Sequence, residues 1–472
     1  MPNEEIAFLS ALDLRERYRQ RELSPVEVAE TILARIETLN PRLTAFITVT
    51  PELALEQARA AERSYAPGGA PGPLAGIPIS IKDLTPTKGI RTTRGSLLSA
   101  DWVPDEDVPF VERVRAAGAV ELGKTNTPEL GWKGDSGNRL VGPTHNPWRH
   151  GRTAGGSSGG AAAAVAAGLG PLAQGSDGAG SIRIPAAFCG IVGFKPSFGL
   201  VPLYPPGLFG DLAHLGPMTR TVRDAALLLD ATAGADPRDR LSWSSGVEYL
   251  SACEGGIGGL RVAWSPDLGG VPIEPEVRRV AEMAALRFTE LGCEVEEADP
   301  GLPDPWEAVD QIISAAMAGY HKEDFDAVKD RIDQGRRKVV EAGQRLDAAT
   351  VAVAHQRRSA YYEGMRRFMA EGRFDLLLTP TLPVTAFPAG DDQPERVAGR
   401  ETTYLGWTAF TYPFNVTGQP AITVPCGDAP DGLPVGLQIV GRWRDDATVL
   451  RAAAAYEAAF PWEDRRPDLG DV

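Results

Sequence analysis

The segment from Gly155 to Pro185 constrains the fold and chemistry of this chain more than any other stretch. It contains two glycine-rich loops that carry serines, GGSSGG at 155–160 and SDGAGS at 176–181, joined by an alanine-rich run. High helix propensity and small side chains predict that residues 159–168 form a buried helix that packs close to a sheet. Glycine lets another molecule approach the backbone N–H groups, and hydroxyls on such loops suit acyl transfer.

Composition narrows the functional class. The chain has 472 residues, 43% of them hydrophobic and 24% charged, which is enough for a large core. A net charge of −15 argues against a nucleic-acid partner. No apolar run reaches the roughly 18 residues of a membrane span, so no membrane association is expected. Four widely spaced cysteines indicate free thiols and a cytoplasmic location; they are Cys189, Cys253, Cys293 and Cys426.

The order of predicted elements indicates an α/β fold. Residues 10–65 read as helices, with a helix start at Ser24-Pro25 and an end at Asn40-Pro41. Beyond residue 220, helices alternate with strands, which predicts a largely parallel sheet covered by helices. Strands are predicted along the whole chain, so we expect a single large domain over 1–472. Its expected parts are a helical segment at 1–66, a catalytic core at 67–220 and the rest of the sheet, a helical pocket region and C-terminal strands at 221–472.

Three local features allow more than one interpretation. Residues 156–160 match the G-x-S-x-G nucleophile elbow of α/β-hydrolases, with Ser158 as nucleophile, but 144–154 does not read as the strand that an elbow requires. Lys82 ends a strand that is otherwise suited to burial; it either points to water or is a buried functional amine. His145 and His150 fit no metal template, so we expect structural or surface histidines and no metal.

Several segments together make the chain resemble the amidase signature family. The resemblance covers nearly the whole length, and the block at 155–196 is the most specific part. The segments that carry it are GIPISIKD at 76–83, GGSSGG at 155–160, GSDGAGSIRIPA at 175–186, FCGIVGFKP at 188–196, PFNVTGQP at 413–420 and GLPVGLQ at 432–438. It implies the family's fold, with a mixed, mostly parallel twisted central sheet and helices on both faces.

The resemblance implies a Ser–cisSer–Lys triad that needs no metal or cofactor. Ser181 is then the nucleophile, Ser157 the bridging serine after a cis peptide bond, and Lys82 the base. A lysine that an apolar strand desolvates has a lowered pKa and accepts a proton near neutral pH. Backbone N–H groups of the second loop are expected to stabilise the oxyanion; these belong to Gly178, Ala179, Gly180 and Ser181.

Other residues of the two loops are predicted to support this triad. Ser158 is expected to hydrogen-bond the nucleophile loop. Asp177 and Arg183 are expected to form an ion pair that keeps the loop rigid; the alternative is two solvated charges. The second loop departs from the family's usual Asp-Thr-Gly-Gly-Ser at Gly178 and Ala179, and we expect this departure to affect substrate preference.

The expected partner is a small linear amide, aryl or alkyl, with esters and carbamates (urethanes) open to the same acyl-enzyme chemistry. Pocket candidates are Gly131, Tyr204, Phe209 and Ile312, although core packing is the simpler reading of the apolar ones. A glutamine-hydrolysing component of a tRNA-dependent amidotransferase is an alternative, but residues 339–358 do not match the arginine-rich helix that such components use for glutamine. The resemblance also implies a possible homodimer.

Overall fold

The computed structural model describes residues 3–470. Its α-helices are α1 Asn3–Ala7, α2 Ala11–Gln20, α3 Pro25–Leu43, α4 Pro51–Ser64, α5 Pro109–Ala116, α6 Gly159–Ala166, α7 Arg183–Cys189, α8 Val222–Thr232, α9 Tyr249–Ala252, α10 Pro275–Glu290, α11 Trp306–Tyr320, α12 Phe325–Val328, α13 Gln334–Gly343, α14 Ala348–Glu371, α15 Pro413–Val416 and α16 Asp446–Ala459. Short 3₁₀ turns cover Glu129–Gly131, Gly210–Leu212 and Gly406–Thr408.

The strands are β1 Phe46–Val49, β2 Pro78–Lys82, β3 Val120–Thr125, β4 His145–Asn146, β5 Arg149–Thr153, β6 Leu172–Asp177, β7 Val192–Lys195, β8 His214–Thr219, β9 Arg261–Trp264, β10 Glu294–Glu297, β11 Leu376–Pro380, β12 Arg396–Val397, β13 Arg400–Glu401, β14 Ala421–Asp428 and β15 Pro434–Gly441. Eleven of them form one sheet in the order β1-β3-β2-β6-β8-β7-β14-β15-β11-β9-β10. The sheet draws strands from both halves of the chain, and helices flank it.

The mixed α/β sheet is confirmed, but the expectation that it is mostly parallel is wrong. Parallel pairing occurs at the two flanks, between β3, β2 and β6 and between β11, β9 and β10. The central run from β6 through β8, β7, β14 and β15 to β11 is antiparallel, as is β1 with β3. The alternation of helix and strand beyond residue 220 predicted the parallel flank of β9, β10 and β11. Hairpin-like returns such as β14 to β15 reverse the strand direction at the centre.

The parallel β2 and β6 position the region of interest. Because they are neighbours and parallel, their carboxyl ends lie at the same edge of the sheet. Lys82 is the last residue of β2, and Asp177 is the last residue of β6, directly before the second glycine loop. The alanine-rich α6 packs beneath β2, β3 and β6 with every residue buried. At Gly160, a Cβ atom would lie 2.3 Å from the backbone nitrogen of Asn126, so only glycine permits this approach.

Helix α3 and the segment 144–154 each differ in part from the predicted structure. Ser24 caps α3 and Pro25 occupies its first turn, as predicted, but α3 continues past Pro41 to Leu43 instead of ending at Asn40-Pro41. The segment 144–154, which does not read as a strand, contains the small antiparallel pair β4 and β5, outside the main sheet.

The four cysteines are free and buried, as predicted. No helix within residues 3–470 is long and apolar enough to cross a membrane, and no group of three metal-ligating side chains occurs there.

Candidate active site

Lys82 lies at the centre of a cluster of hydroxyl groups. Its ammonium-bearing end is fully buried, so the interpretation that it points to water is wrong. Lys82 Nζ lies 2.7 Å from Ser157 Oγ and 2.8 Å from Ser158 Oγ. The Oγ atom of Ser176, on β6, is 3.0 Å away. The β2 strand thus brings one amine to the serines of both glycine-rich loops.

The environment of Lys82 favours the neutral amine. Burial holds the pKa of Lys82 well below its ordinary value, and the Asp177 carboxylate opposes this shift more weakly. A neutral amine accepts a proton from a hydroxyl, which a charged ammonium cannot do. The structure therefore places an amine with a lowered pKa, whose neutral form accepts a proton, within hydrogen-bond distance of Ser157.

Ser157 and Ser181 both line one cavity of about 310 Å³. The peptide bond between Gly156 and Ser157 is cis, as the resemblance implied. Ser181 is half-buried, at the start of the turn into α7. Gly131 lies against the same site, since a Cβ there would be 3.2 Å from Ser157 Oγ. The cavity gives a small molecule access to both serine side chains.

Ser158 supports the two loops and does not face this cavity. Its backbone N–H donates to the carbonyl of Ser181 at 3.1 Å, and its Oγ accepts from the backbone N–H of Ser176 at 3.3 Å. The side chain is fully buried and does not line the cavity. This arrangement fits the supporting role that the sequence predicts for Ser158. Because Ser158 does not line the cavity, it is not placed to act as the nucleophile of an α/β-hydrolase.

Asp177 and Arg183 form a fully buried ion pair, so the alternative of two solvated charges is wrong. Arg183 Nε lies 3.0 Å from Asp177 Oδ2, and Nη2 lies 3.0 Å from Oδ1. Burial by itself raises the pKa of the Asp177 carboxyl, but the Arg183 guanidinium outweighs it and holds that pKa below its usual range. Arg183 is fixed in turn by distant partners, namely the Thr411 carbonyl, Asn415 Oδ1 and Gln438 Oε1.

The ion pair also decides which backbone N–H groups of the loop remain available. The N–H of Gly180 donates to Asp177 Oδ1 at 2.7 Å, so the prediction that Gly180 contributes to an oxyanion hole is wrong. Its φ of 126° and a Cβ position 2.3 Å from Thr411 Oγ1 explain instead why glycine is needed there. Within residues 3–470, the N–H groups of Gly178, Ala179 and Ser181 have no acceptor.

The cavity walls are mainly apolar and include three of the four predicted pocket residues. Gly131, Tyr204 and Phe209 line it. Ile312 does not: it is buried in the packing of α11. Its neighbour Ile313 instead lines a second space of about 10 Å³, which also contacts Ser181 and Phe209. The predicted residue, Ile312, is therefore one position away along the helix from Ile313, which does approach the site.

Several polar residues of the cavity were missed from the sequence, among them Ser176 and His214. Ser176 supplies a third hydroxyl to Lys82, and its place at the end of a strand predicted beside the second loop was the available signal. His214 lies on the buried strand β8, and no sequence pattern marks it. Its Nδ1 faces the carbonyls of Leu212 at 2.9 Å and Asp177 at 3.3 Å, so Nδ1 carries the hydrogen. Burial, reinforced by Lys195, holds the pKa of His214 well below its ordinary value.

Comparison with known proteins settles the family. A sequence profile of the amidase family matches residues 27–450. The chain belongs to the amidase signature family. It is 42% identical to an acylamidase from Rhodococcus erythropolis over 99% of this chain and 98% of that protein. It is 39% identical to one of the subunits of glutamyl-tRNA(Gln) amidotransferase from Moorella thermoacetica over 99% of each chain.

A solved structure agrees with this assignment. The crystal structure of a bacterial aryl acylamidase of the amidase signature family superposes with a TM-score of 0.91 at 34% identity, covering 96% of this chain and 97% of that one. The protein is accordingly an amidase, a hydrolase that acts on amides.

Proposed function

We propose that this amidase cleaves linear amides through an acyl intermediate on Ser181, with Ser157 and Lys82 as a proton relay. The observation that carries the proposal is the buried, 2.7 Å contact between Lys82 Nζ and Ser157 Oγ beside a cavity that Ser181 also lines. A serine hydroxyl is a weak nucleophile until a base takes its proton. In the proposed first step, Ser181 Oγ attacks the amide carbonyl carbon, its proton passes to Ser157, and the proton of Ser157 passes to Lys82.

Stabilisation of the tetrahedral intermediate is assigned to the three N–H groups that have no acceptor, those of Gly178, Ala179 and Ser181. The carbonyl oxygen becomes negative when Ser181 attacks, and oriented backbone donors stabilise that charge. The Asp177–Arg183 pair supports this assignment because it holds the loop at both ends of the turn. Asp177 Oδ2 accepts from the backbone N–H of Ile182 at 3.1 Å, beyond the nucleophile.

The second half of the reaction reverses the proton path. The proton on Lys82 returns through Ser157 to the nitrogen of the leaving amine as the carbon–nitrogen bond breaks. Water then attacks the acyl–Ser181 ester, losing its proton to the same relay, and the carboxylic acid departs as Ser181 regains its hydrogen. A poor amine leaving group needs this protonation, so the relay serves as acid and base in turn.

The substrate class is proposed from the shape of the cavity and from the relatives. A volume of about 310 Å³ is at the lower end of the roughly 300–1,000 Å³ of small-molecule sites. Leucine, proline, tyrosine and phenylalanine make up 11 of its 23 lining residues, which suits an aryl or alkyl group. The names acylamidase and aryl acylamidase given to two relatives agree with such substrates. Esters and carbamates with the same groups would enter the same acyl-enzyme chemistry.

Glutamine hydrolysis within an amidotransferase is the second candidate, favoured by the 39% identity to a component of such an enzyme. The charges of the cavity favour a free-standing amidase instead. Among the residues that line it, Asp177 is the one carboxylate, and both of its oxygens are bound to Arg183. The α-ammonium group of glutamine therefore has no carboxylate partner in the described cavity.

The test is hydrolysis of an acyl 4-nitroanilide by the protein alone, without any partner or tRNA. Ser181→Ala and Lys82→Ala are expected to lower kcat by at least about a thousandfold, since both act in one relay. Lys88→Ala is the matched control, because Lys88 is an exposed lysine six residues away in sequence and should keep full activity. Wild-type protein that is folded and inactive on acyl anilides but active on glutamine would refute the substrate proposal.

A further inference from the structure

The cavity contains one side chain whose charge is not used by the proposed chemistry. Among the residues that line it, Arg94 is the one arginine and Asp177 the one carboxylate, and Asp177 forms a buried ion pair with Arg183. Within residues 3–470 no carboxylate lies within 4.0 Å of the Arg94 guanidinium. The one charge of this mainly apolar cavity that remains available is therefore the positive charge of Arg94.

Arg94 lies at the outer part of the cavity. Its guanidinium carbon stacks 4.2 Å from the centre of the Trp102 ring. Its Nη1 lies 3.5 Å from the hydroxyl of Tyr320, which also lines the cavity and is 47% exposed. The tryptophan ring supports one face of the guanidinium, which leaves its N–H edge for hydrogen bonds.

The backbone of Arg94 is fixed relative to the active site. Its N–H donates to the carbonyl of Asp83, next to Lys82, at 3.0 Å. Its carbonyl accepts from Leu130, the residue before Gly131, at 2.8 Å. The residue adopts a φ of 55°, a left-handed conformation that is costly for a non-glycine side chain. These contacts hold the origin of the arginine side chain at a constant place on the cavity wall.

We infer that Arg94 binds a carboxylate at the end of the substrate remote from the scissile amide, so that preferred substrates are aryl or alkyl amides with an anionic terminus. A guanidinium binds a carboxylate through two N–H groups in a planar fork, and the Tyr320 hydroxyl is a further donor at the same edge. The inference rests on the proposed amidase function and adds the charge of the substrate to it. Glutamine also carries a carboxylate remote from its side-chain amide, but its ammonium group finds no free carboxylate among the residues that line the cavity.

The test compares substrates that differ only in terminal charge. For the acyl side, the pair is glutaryl and pentanoyl 4-nitroanilide. For the amine side, the pair is 4-acetamidobenzoate and 4-methylacetanilide. The readout is the ratio of kcat/KM for the anionic member to kcat/KM for the neutral member. We expect this ratio to exceed one in the pair whose variable group, acyl or amine, binds in the cavity that Arg94 lines. A loss of folding or catalysis affects both members alike and leaves the ratio unchanged.

Wild type is expected to prefer the anionic member of at least one pair. Arg94→Gln should lower that ratio by about five- to tenfold, as suits a charged hydrogen bond at a half-buried site. Arg94→Lys should keep most of the preference, and Lys88→Gln, which removes one nearby exposed charge, should leave it unchanged. Raising the ionic strength should reduce the wild-type ratio, because salt screens the pair.

Two outcomes would overturn the inference. One is a wild-type enzyme that hydrolyses the neutral member faster in both pairs. The other is a preference for the anionic member that Arg94→Gln does not change. In either case continued hydrolysis of the neutral anilides would leave the proposed amidase function intact, whereas absence of all hydrolysis by folded protein would refute that function itself.

Discussion

Replacing Asp177 with asparagine tests the buried network that orders the nucleophile loop. Five donors converge on its carboxylate: the backbone N–H groups of Gly180 and Ile182, two nitrogens of Arg183 and the amide nitrogen of Asn415. An asparagine has one acceptor oxygen, and its NH₂ group would face donors. It also leaves the fully buried Arg183 without a counter-charge.

The magnitude follows from that unpaired charge. Removing one partner of a buried ion pair costs about 3–5 kcal/mol of stability. An entropy of unfolding of about 2.1 cal/mol/K per residue gives about 1 kcal/mol/K for a chain of 472 residues. The Tm of Asp177→Asn should therefore fall by about 3–5 °C. We also expect kcat to fall, because the disturbed loop carries Ser181.

Differential scanning calorimetry measures the shift, with Glu363→Gln as the control. Glu363 pairs with Arg366 and Arg367 on an exposed helix face, so its loss should leave Tm unchanged. The double variant Asp177→Asn, Arg183→Met should recover part of the lost stability, since it removes the unpaired charge. Equal Tm values for Asp177→Asn and wild type, or a double variant much less stable than the single one, would refute this reasoning.

Three further predictions concern the reaction and the cavity. Because only the neutral amine of Lys82 accepts a proton, kcat/KM should fall as pH decreases through the lowered pKa of Lys82. The acidic limb of the pH profile of kcat/KM should lie well below the ordinary lysine pKa of 10.5, and a limb near 10.5 would contradict this prediction. Gly178→Ala should raise KM, since its Cβ would lie 2.8 Å from Phe209 Cδ2, and adding Phe209→Ala should restore KM if that contact is the cause. Ser158→Ala should reduce kcat less than Ser181→Ala, measured on one 4-nitroanilide, because it only positions Lys82 and the loop.

The sequence was most informative in the segments that carry the family resemblance and in local helix signals. The resemblance implied that Lys82 and Ser157 act together, and the structure places the two side chains in contact at the sheet edge where the adjacent, parallel β2 and β6 end. The cap at Ser24 and the buried alanine-rich helix were also local features.

Features that depend on distant contacts were not predictable from the sequence. The partners of Arg183 at 411, 415 and 438 lie more than 200 residues away. Residues 415 and 438 belong to two of the segments that carry the family resemblance, but nothing in those segments indicates a contact with Arg183. The direction of the central strands depends on strand order, which periodicity does not encode. The N–H of Gly180 was wrongly assigned because the reach of the Asp177 carboxylate becomes visible only when the loop is folded. Ile312 and Ile313 differ by one helical position, about 100° around the helix axis.

The proposed acyl-enzyme mechanism requires Ser181 as the nucleophile. The decisive measurement is treatment of the folded protein with a fluorophosphonate, followed by peptide mass spectrometry to locate the modified residue. We expect a single adduct on Ser181, little adduct in Lys82→Ala, and wild-type labelling in Lys88→Ala. An adduct on Ser158 or on another serine, in protein that still hydrolyses an acyl anilide, would contradict the proposed mechanism.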